Sequence, residues 1–238
     1  MNTKDIYVGA SPEEVAALIT GKIVSLSRSF KRPIHVALSG GSTPDTLFAY
    51  WRKRPKGEFK NLGVHFWWVD ERLVPVESAE SNFGNAYRHF FAPEEYPSEL
   101  LHPILYRPER SSDEAARAYD DEVRADMSGR GAAVPFDLVI LGVGDDGHTS
   151  SLFPGQNLFE RREYYISSVN PYNGILRVAL SYSGILSVPE VLFHVLGEKK
   201  RDILTRVTNP RDEADATLPA AFVMKRAGRV SVFTDIAL

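Results

Sequence analysis

Apolar residues along the 238-residue chain fall into short runs separated by stretches with helical spacing. The run 33–39 ("PIHVALS") has strand length and stops at two glycines, and 64–69 ("VHFWWV") reads as a second strand. The run 136–144 ("FDLVILGVG") is nearly continuous, in the way of a strand covered on both faces. Ser11, Pro12 and Glu14 predict an N-cap, a first-turn proline and a capping-box partner, and Val15, Leu18 and Ile19 then recur at helical spacing. Thr43 and Pro44 open a second helix with Leu47, Phe48 and Trp51 on one face, and 111–127 ("SSDEAARAYDDEVRADM") predicts a third with a polar outer face. The last third repeats the alternation more faintly, with strands in 176–180, 191–197 and 230–236 and a helix in 198–207. Alternating strands and helices predict a three-layer α/β fold, a mainly parallel twisted sheet with helices on both faces. No repeat, low-complexity tract or linker interrupts the pattern, and a single domain over 1–238 is expected.

Three polar clusters follow three of these strands: "SGGSTP" (39–44), "DER" (70–72) and "GDDGH" (144–148). At the carboxyl edge of an open α/β sheet the loops leave a crevice into which the following helices aim their N-termini, so the three clusters are expected to form one site. Gly40 and Gly41 permit a tight turn and a close approach to a ligand, Ser42 and Thr43 offer hydroxyls, and Pro44 begins a helix whose free N–H groups favour a phosphate. That loop carries neither G-x-x-x-x-G-K-[ST] nor G-x-G-x-x-G, which disfavours a nucleotide. Reading 37–41 as a nucleophile elbow requires more strands ahead of it than the chain provides.

Arg72 presents a fork of donors to a phosphate or carboxylate, and Asp70 can orient a hydroxyl or a catalytic group. A neutral His148 has a lone pair available near pH 7 to take a proton from water, and Asp146, two residues earlier, is close enough to hold the ring in one tautomer. No second histidine lies at ligand spacing, so no metal is expected there. His35, His65 and His194 fall inside strand runs, and His89 and His102 read as surface or packing residues; none is expected to react.

Composition narrows the partners. The formal net charge is -3 with Lys and Arg scattered, which argues against a nucleic-acid surface. The absence of cysteine removes disulfides, thiolate chemistry and Cys-ligated zinc. The opening residues lack a basic start followed by an apolar core, and no apolar run approaches about 18 residues, so no membrane partner and a cytoplasmic location are expected.

The segments "VALSGGSTP", "WVDERLVP" with "SNFGNAYRHFF", "FDLVILGVGDDGHTSSLFPG" and "LPAAFVMKRAGRVSVFTDIA" resemble, in order, the motifs of the 6-phosphogluconolactonase family. Related glucosamine-6-phosphate deaminases share the D-G-H core but continue it with an "IAFNEP"-like stretch and carry "DEY"; this chain has "TSSLFP" and "DER". The resemblance implies a NagB/RpiA-like, Rossmann-related fold and hydrolysis of 6-phosphoglucono-δ-lactone to 6-phosphogluconate, the second step of the oxidative pentose phosphate pathway, without metal or organic cofactor. It further implies catalysis by His148 and Asp146, and a substrate held by Gly40, Gly41, Ser42, Thr43, Asp70, Arg72, Arg177 and a lysine of the turn before "EKK", taken as Lys199 with Lys200 as the alternative. The chain departs from the family at "NPYNGILRVALSYS", which keeps Arg177 but lacks the usual threonines. The expected partner is a small sugar-phosphate lactone, in a monomer or small homo-oligomer. A deaminase and a non-catalytic sugar-phosphate sensor are the alternatives, and the intact Asp146 and His148 pair argues for chemistry.

Overall fold

The predicted strand runs pair side by side in the same direction. In the computed structural model, which describes residues 3–237 apart from the side chains of Thr3 and Ser42, ten strands are formed: β1 (Thr3–Val8), β2 (Ile34–Leu38), β3 (Val64–Trp68), β4 (Asp70–Arg72), β5 (Leu101–His102), β6 (Leu138–Leu141), β7 (Tyr165–Val169), β8 (Leu176–Leu180), β9 (Val191–Val195) and β10 (Arg229–Thr234). Seven of them form a sheet in the order β1-β10-β9-β6-β2-β3-β5, with every pair parallel. From β2 the chain moves outward to β3 and β5, then returns to the other side of β2 as β6 and continues to β9 and β10. The direction of travel therefore reverses between β2 and β6, and the crevice above their carboxyl ends is the natural ligand position.

Period-two alternation sends neighbouring residues of β3 into different layers. Phe66 meets Trp51 of the helix Ser42–Trp51 at 5.7 Å between ring centroids, and the Trp51 indole N–H donates to Thr20 Oγ1 of the helix Pro12–Phe30 at 2.9 Å. Trp67, next in sequence, faces Tyr119 of the helix Ser112–Gly129 at 6.1 Å. Two helical layers thus enclose the sheet, and β2, β6 and β9 are buried along their whole length.

Several local expectations shift by a residue or a partner. Ser11 accepts from the Glu14 N–H, but the Glu14 carboxylate reaches back to Ala10 N rather than to Ser11, and Leu18 lies on the exposed side of its helix. The second helix begins at Ser42, one residue ahead of Thr43. The helix after Ser111 has the full reciprocal box with Glu114. The strand 176–180 forms where expected but outside the main sheet: as β8 it pairs antiparallel with β4 and β7 in a separate three-stranded sheet. β1 and β7 are not visible as strands in the apolar pattern, since β1 is an edge strand with Ile6, Tyr7 and Val8 exposed, and β7 carries two serines. Among the described residues no helix is long and apolar enough to cross a membrane.

His35, His65 and His102 pack as a stack on the face opposite Trp51, with ring centroids 4.5 and 5.2 Å apart, and the Trp67 indole donates to His35 Nδ1 at 3.0 Å. Burial, reinforced by nearby Arg130, lowers the His35 pKa from 6.5 to about 3. Between those values the unfolded chain binds a proton that the folded chain refuses, so this histidine's contribution to stability is lost as pH falls. In urea unfolding at pH 7, 6 and 5, the wild type should lose up to about 1.4 kcal/mol per pH unit more than His35→Gln below pH 6.5. Parallel acid limbs in the two proteins would show that His35 is not the group responsible.

Candidate functional site

The crevice at the strand-order reversal is a cavity of about 250 Å³, at the small end for ligand sites. Its walls come from the turn after β2 (Ser39, Gly40, Gly41, Thr43), the turn after β6 (Gly142, Val143, Gly144, His148), and the second sheet, which supplies Asp70 and Arg72 from β4 and Arg177 from β8. The three sequence clusters do converge. Of the predicted site residues, Gly40, Gly41, Thr43, Asp70, Arg72, Arg177 and His148 line this cavity, and Asp146 stands directly behind His148. Ser42 opens the helix, but its side chain lies outside the described residues.

Gly41, at φ 99°, caps the helix Ser42–Trp51 without any side-chain bond, so the helix N-terminus is left open toward the cavity. Gly40 lies flat against Asn82: a Cβ there would come within 1.9 Å of the Asn82 Oδ1. Asn82 in turn donates from Nδ2 to the Asp70 carbonyl at 2.8 Å. The residue that fastens this arrangement is Glu71, which accepts from the backbone N–H groups of Arg72, Asn82 and Phe83 at 2.7, 2.7 and 2.8 Å and from the Ser81 hydroxyl at 3.0 Å. Burial raises its carboxyl to about 7 against the pull of those four donors. Sequence reasoning passed over Glu71, although alternation along "DER" points it away from the side shared by Asp70 and Arg72.

Arg72 and Arg177 stand directly opposite one another across the β4–β8 pair. Two like charges at such positions repel, which favours an anion between them. Asp70 supplies one: its Oδ2 lies 3.5 Å from Arg177 Nη1, and Ser151 Oγ donates to the same oxygen at 2.5 Å while accepting from Arg177 at 3.1 Å. Burial lowers the Arg177 pKa from its ordinary value, Asp70 opposes that effect, and Arg72 adds to it. Arg72 Nη1 donates to the Glu80 carbonyl, whose carboxylate is 3.9 Å away.

The lysine at the cavity is Lys200, not Lys199. The 3₁₀ turn Glu198–Lys200 directs Lys200 inward, where its Nζ donates to the Val143 carbonyl at 2.9 Å and pairs with Asp145 at 2.5 Å, while Lys199 is exposed and takes no part in the wall. Three cations, Arg72, Arg177 and Lys200, therefore line the cavity against the single carboxylate of Asp70.

His148 Nδ1 lies 2.6 Å from Asp146 Oδ1, which also accepts the His148 backbone N–H at 3.0 Å, and Tyr172 donates its hydroxyl to Asp146 Oδ2 at 2.6 Å. Burial works against ionisation of Asp146, but the bonds from His148 and Tyr172 outweigh it and hold the carboxyl well below the usual carboxylate range. An ionised carboxylate only accepts, so in the neutral ring the proton sits on Nδ1 and the lone pair on Nε2. Gly144 makes room for the pair: a Cβ there would stand 2.1 Å from His148 Nδ1 and 2.8 Å from Asp146 Oδ1. Residues 142–147 (G-V-G-D-D-G) do meet G-x-G-x-x-G spacing, but the turn is followed by the Thr149–Leu152 bridge instead of a helix, so it does not form a dinucleotide motif. Asp145 and Asp146 diverge to Lys200 and His148. Tyr172 and Ser151 were not legible as site residues, since neither stands at a strand end in the sequence pattern.

Among the described residues, six buried side-chain polar atoms lack a hydrogen-bond partner: Ser39 Oγ, Arg72 Nε, Asn82 Oδ1, Arg177 Nε and both ring nitrogens of His194. All five residues line this one cavity. Buried polar groups are ordinarily satisfied, and a concentration of exceptions at one place marks a site arranged for a polar ligand.

Residues 10–232 match the family model described as glucosamine-6-phosphate isomerases/6-phosphogluconolactonase. The chain is 35% identical over 212 residues to the 6-phosphogluconolactonase of Haemophilus influenzae, covering 86% of each, and 32% identical over 240 residues to that of Rattus norvegicus, covering 98% of this chain and 91% of the other. Its structure is similar to that of 6-phosphogluconolactonase from Trypanosoma cruzi, with a TM-score of 0.83, 25% identity, and 98% and 94% of the two chains covered. A likeness to a monomeric glucosamine-6-phosphate deaminase (TM-score 0.74, 15% identity, 97% and 96% covered) shows the shared fold. With the strand order, the three converging turns and these likenesses in agreement, the chain belongs to the glucosamine-6-phosphate isomerase/6-phosphogluconolactonase family.

Proposed function

We propose that this chain hydrolyses 6-phosphoglucono-δ-lactone to 6-phosphogluconate. The observation that carries the reading is the juxtaposition of a histidine–aspartate pair with a cationic, unsatisfied polar cavity. The 40–43 turn, Arg72 and Arg177 take the phosphate, Lys200 adds positive charge at the adjoining turn, and the lactone ring then lies toward His148. His148 Nε2 removes a proton from a water as that water attacks the lactone carbonyl, and Asp146 stabilises the imidazolium that forms. The tetrahedral oxyanion collapses with rupture of the bond between the carbonyl carbon and the ring oxygen, which takes the proton back from His148 as it becomes the C5 hydroxyl. The acid so formed ionises to the carboxylate. Backbone N–H groups of the glycine-bearing turns are the donors suited to the oxyanion. Anchoring the phosphate makes the attack effectively intramolecular.

The test is the hydrolysis of freshly generated lactone with and without enzyme in the same buffer. A rate well above the spontaneous one supports the reading; a rate equal to it, or ammonia release from glucosamine 6-phosphate, overturns it. His148→Asn should lower kcat by about 10²- to 10⁴-fold with KM nearly unchanged. Gly144→Ala should lose kcat to within about tenfold of that variant, because the added methyl expels the imidazole from its seat beside Asp146. Arg72→Met should instead act mainly on KM, raising it about 10- to 150-fold, the range for one charge-assisted bond. Steady-state kinetics of the three variants separates the roles, and a kcat-only defect in Arg72→Met would remove it from the phosphate site.

A further inference from the structure

His194 is on β9, level with Phe233 of β10 and one residue beyond the last β6–β9 pair, which places it beside Gly142. It is only 2% exposed, yet it forms part of the cavity wall. Neither ring nitrogen has a hydrogen-bond partner among the described residues. Nothing lies within 4 Å of where a Cβ on Gly142 would stand, so the flanking position leaves space open to the cavity. Leu38 and Ile140, on the same side of the sheet by the strand register, and Leu47 and Phe48 of the covering helix are among the apolar members of the wall. Burial lowers the His194 pKa from 6.5 to about 3, so the ring is neutral at physiological pH.

An imidazole buried without partners costs stability, and an apolar side chain at this position would avoid that cost. A neutral ring carries its N–H and its lone pair on nitrogens that point well apart, and a hydroxyl, being both donor and acceptor, can meet whichever of the two faces the ligand. A phosphate, which only accepts, matches the arginines on the other wall and leaves the lone pair of this ring unused. We infer that His194 reads a ring hydroxyl of the substrate, making it a specificity-determining residue of the cavity. The inference rests on the lactonase reading above. It accounts for a buried imidazole with both ring nitrogens unpartnered among the described residues, which neither the histidine–aspartate pair nor the phosphate site employs.

The experiment compares kcat/KM of the wild type and of His194→Leu on the lactone and on its 2-, 3- and 4-deoxy analogues, each generated by oxidation of the corresponding deoxyglucose 6-phosphate, together with thermal unfolding of the free proteins. Wild type should disfavour one of the three analogues by about tenfold or more relative to the full lactone. In His194→Leu that single ratio should fall to within about threefold of unity, the other two should stay as they were, and the unfolding midpoint should equal or exceed that of the wild type. His194→Gln, which keeps a donor and an acceptor, should restore part of the lost ratio. Unchanged ratios, or a lower midpoint with equal losses on all four substrates, would reduce His194 to a packing residue and overturn the inference. An independent check needs no variant: in ¹⁵N-histidine-labelled wild type, 6-phosphogluconate should move the His194 ring-nitrogen resonances, and unmoved resonances would count equally against it. Absence of lactone hydrolysis by the wild type is a separate result, which would overturn the reaction and this inference with it.

Discussion

Everything at the site follows from the reversal of strand order between β2 and β6. Parallel strands with right-handed crossovers cover the sheet on both faces, so backbone can approach a ligand only at the strand ends, and only where neighbouring crossovers leave in opposite directions. At this position the turn after β2 delivers a glycine-bearing helix start, and the turn after β6 delivers His148. The small antiparallel sheet then closes the crevice from the side and brings the two arginines opposite one another.

Several features weaken the local structure in ways a packed domain does not need. Ser150 and Ser151 hold left-handed backbone at φ 52° and 54°, two guanidinium groups oppose each other, and Glu71 is buried as a carboxyl. Each has a specific restraint. The Ser150 hydroxyl donates to the Leu180 carbonyl at 2.8 Å, Ser151 bridges Asp70 and Arg177, and Glu71 gathers three donors from residues 81–83 and a fourth from the Arg72 N–H. The aromatic layer behind them, where Trp51, Phe59, Phe66, Phe90 and Phe91 are almost wholly buried, supplies the apolar burial against which these departures are tolerated. Strain and unsatisfied polarity collect where a ligand can relieve them.

Much of this was legible in residue order alone. The abrupt ends of the apolar runs mark the carboxyl edge of the sheet, and the polar residues immediately after each run mark the turns; hence the positions of Gly40, Gly41, Thr43, Asp70, Arg72 and His148 on the cavity wall are legible in residue order. The contact of Asp146 with His148 is legible in their spacing, because a partner two residues away needs no long-range information. Arg177 came from the family resemblance, since one arginine at the head of a short apolar run carries little signal by itself.

What residue order could not express was contact between distant segments. Tyr172 reaches Asp146 over 26 positions and Ser151 reaches Asp70 over 81, and neither contact leaves a trace in local periodicity. The choice of Lys200 over Lys199 was decided by the twist of one 3₁₀ turn, the sheet membership of 176–180 by its antiparallel partners, and the special position of His194 by the glycine that follows the neighbouring strand. The sequence by itself determined which side chains stand at strand ends, because hydrophobic periodicity is a property of neighbouring residues. Tertiary structure alone decided which of them face one another, because strand order and crossover direction depend on how whole layers pack.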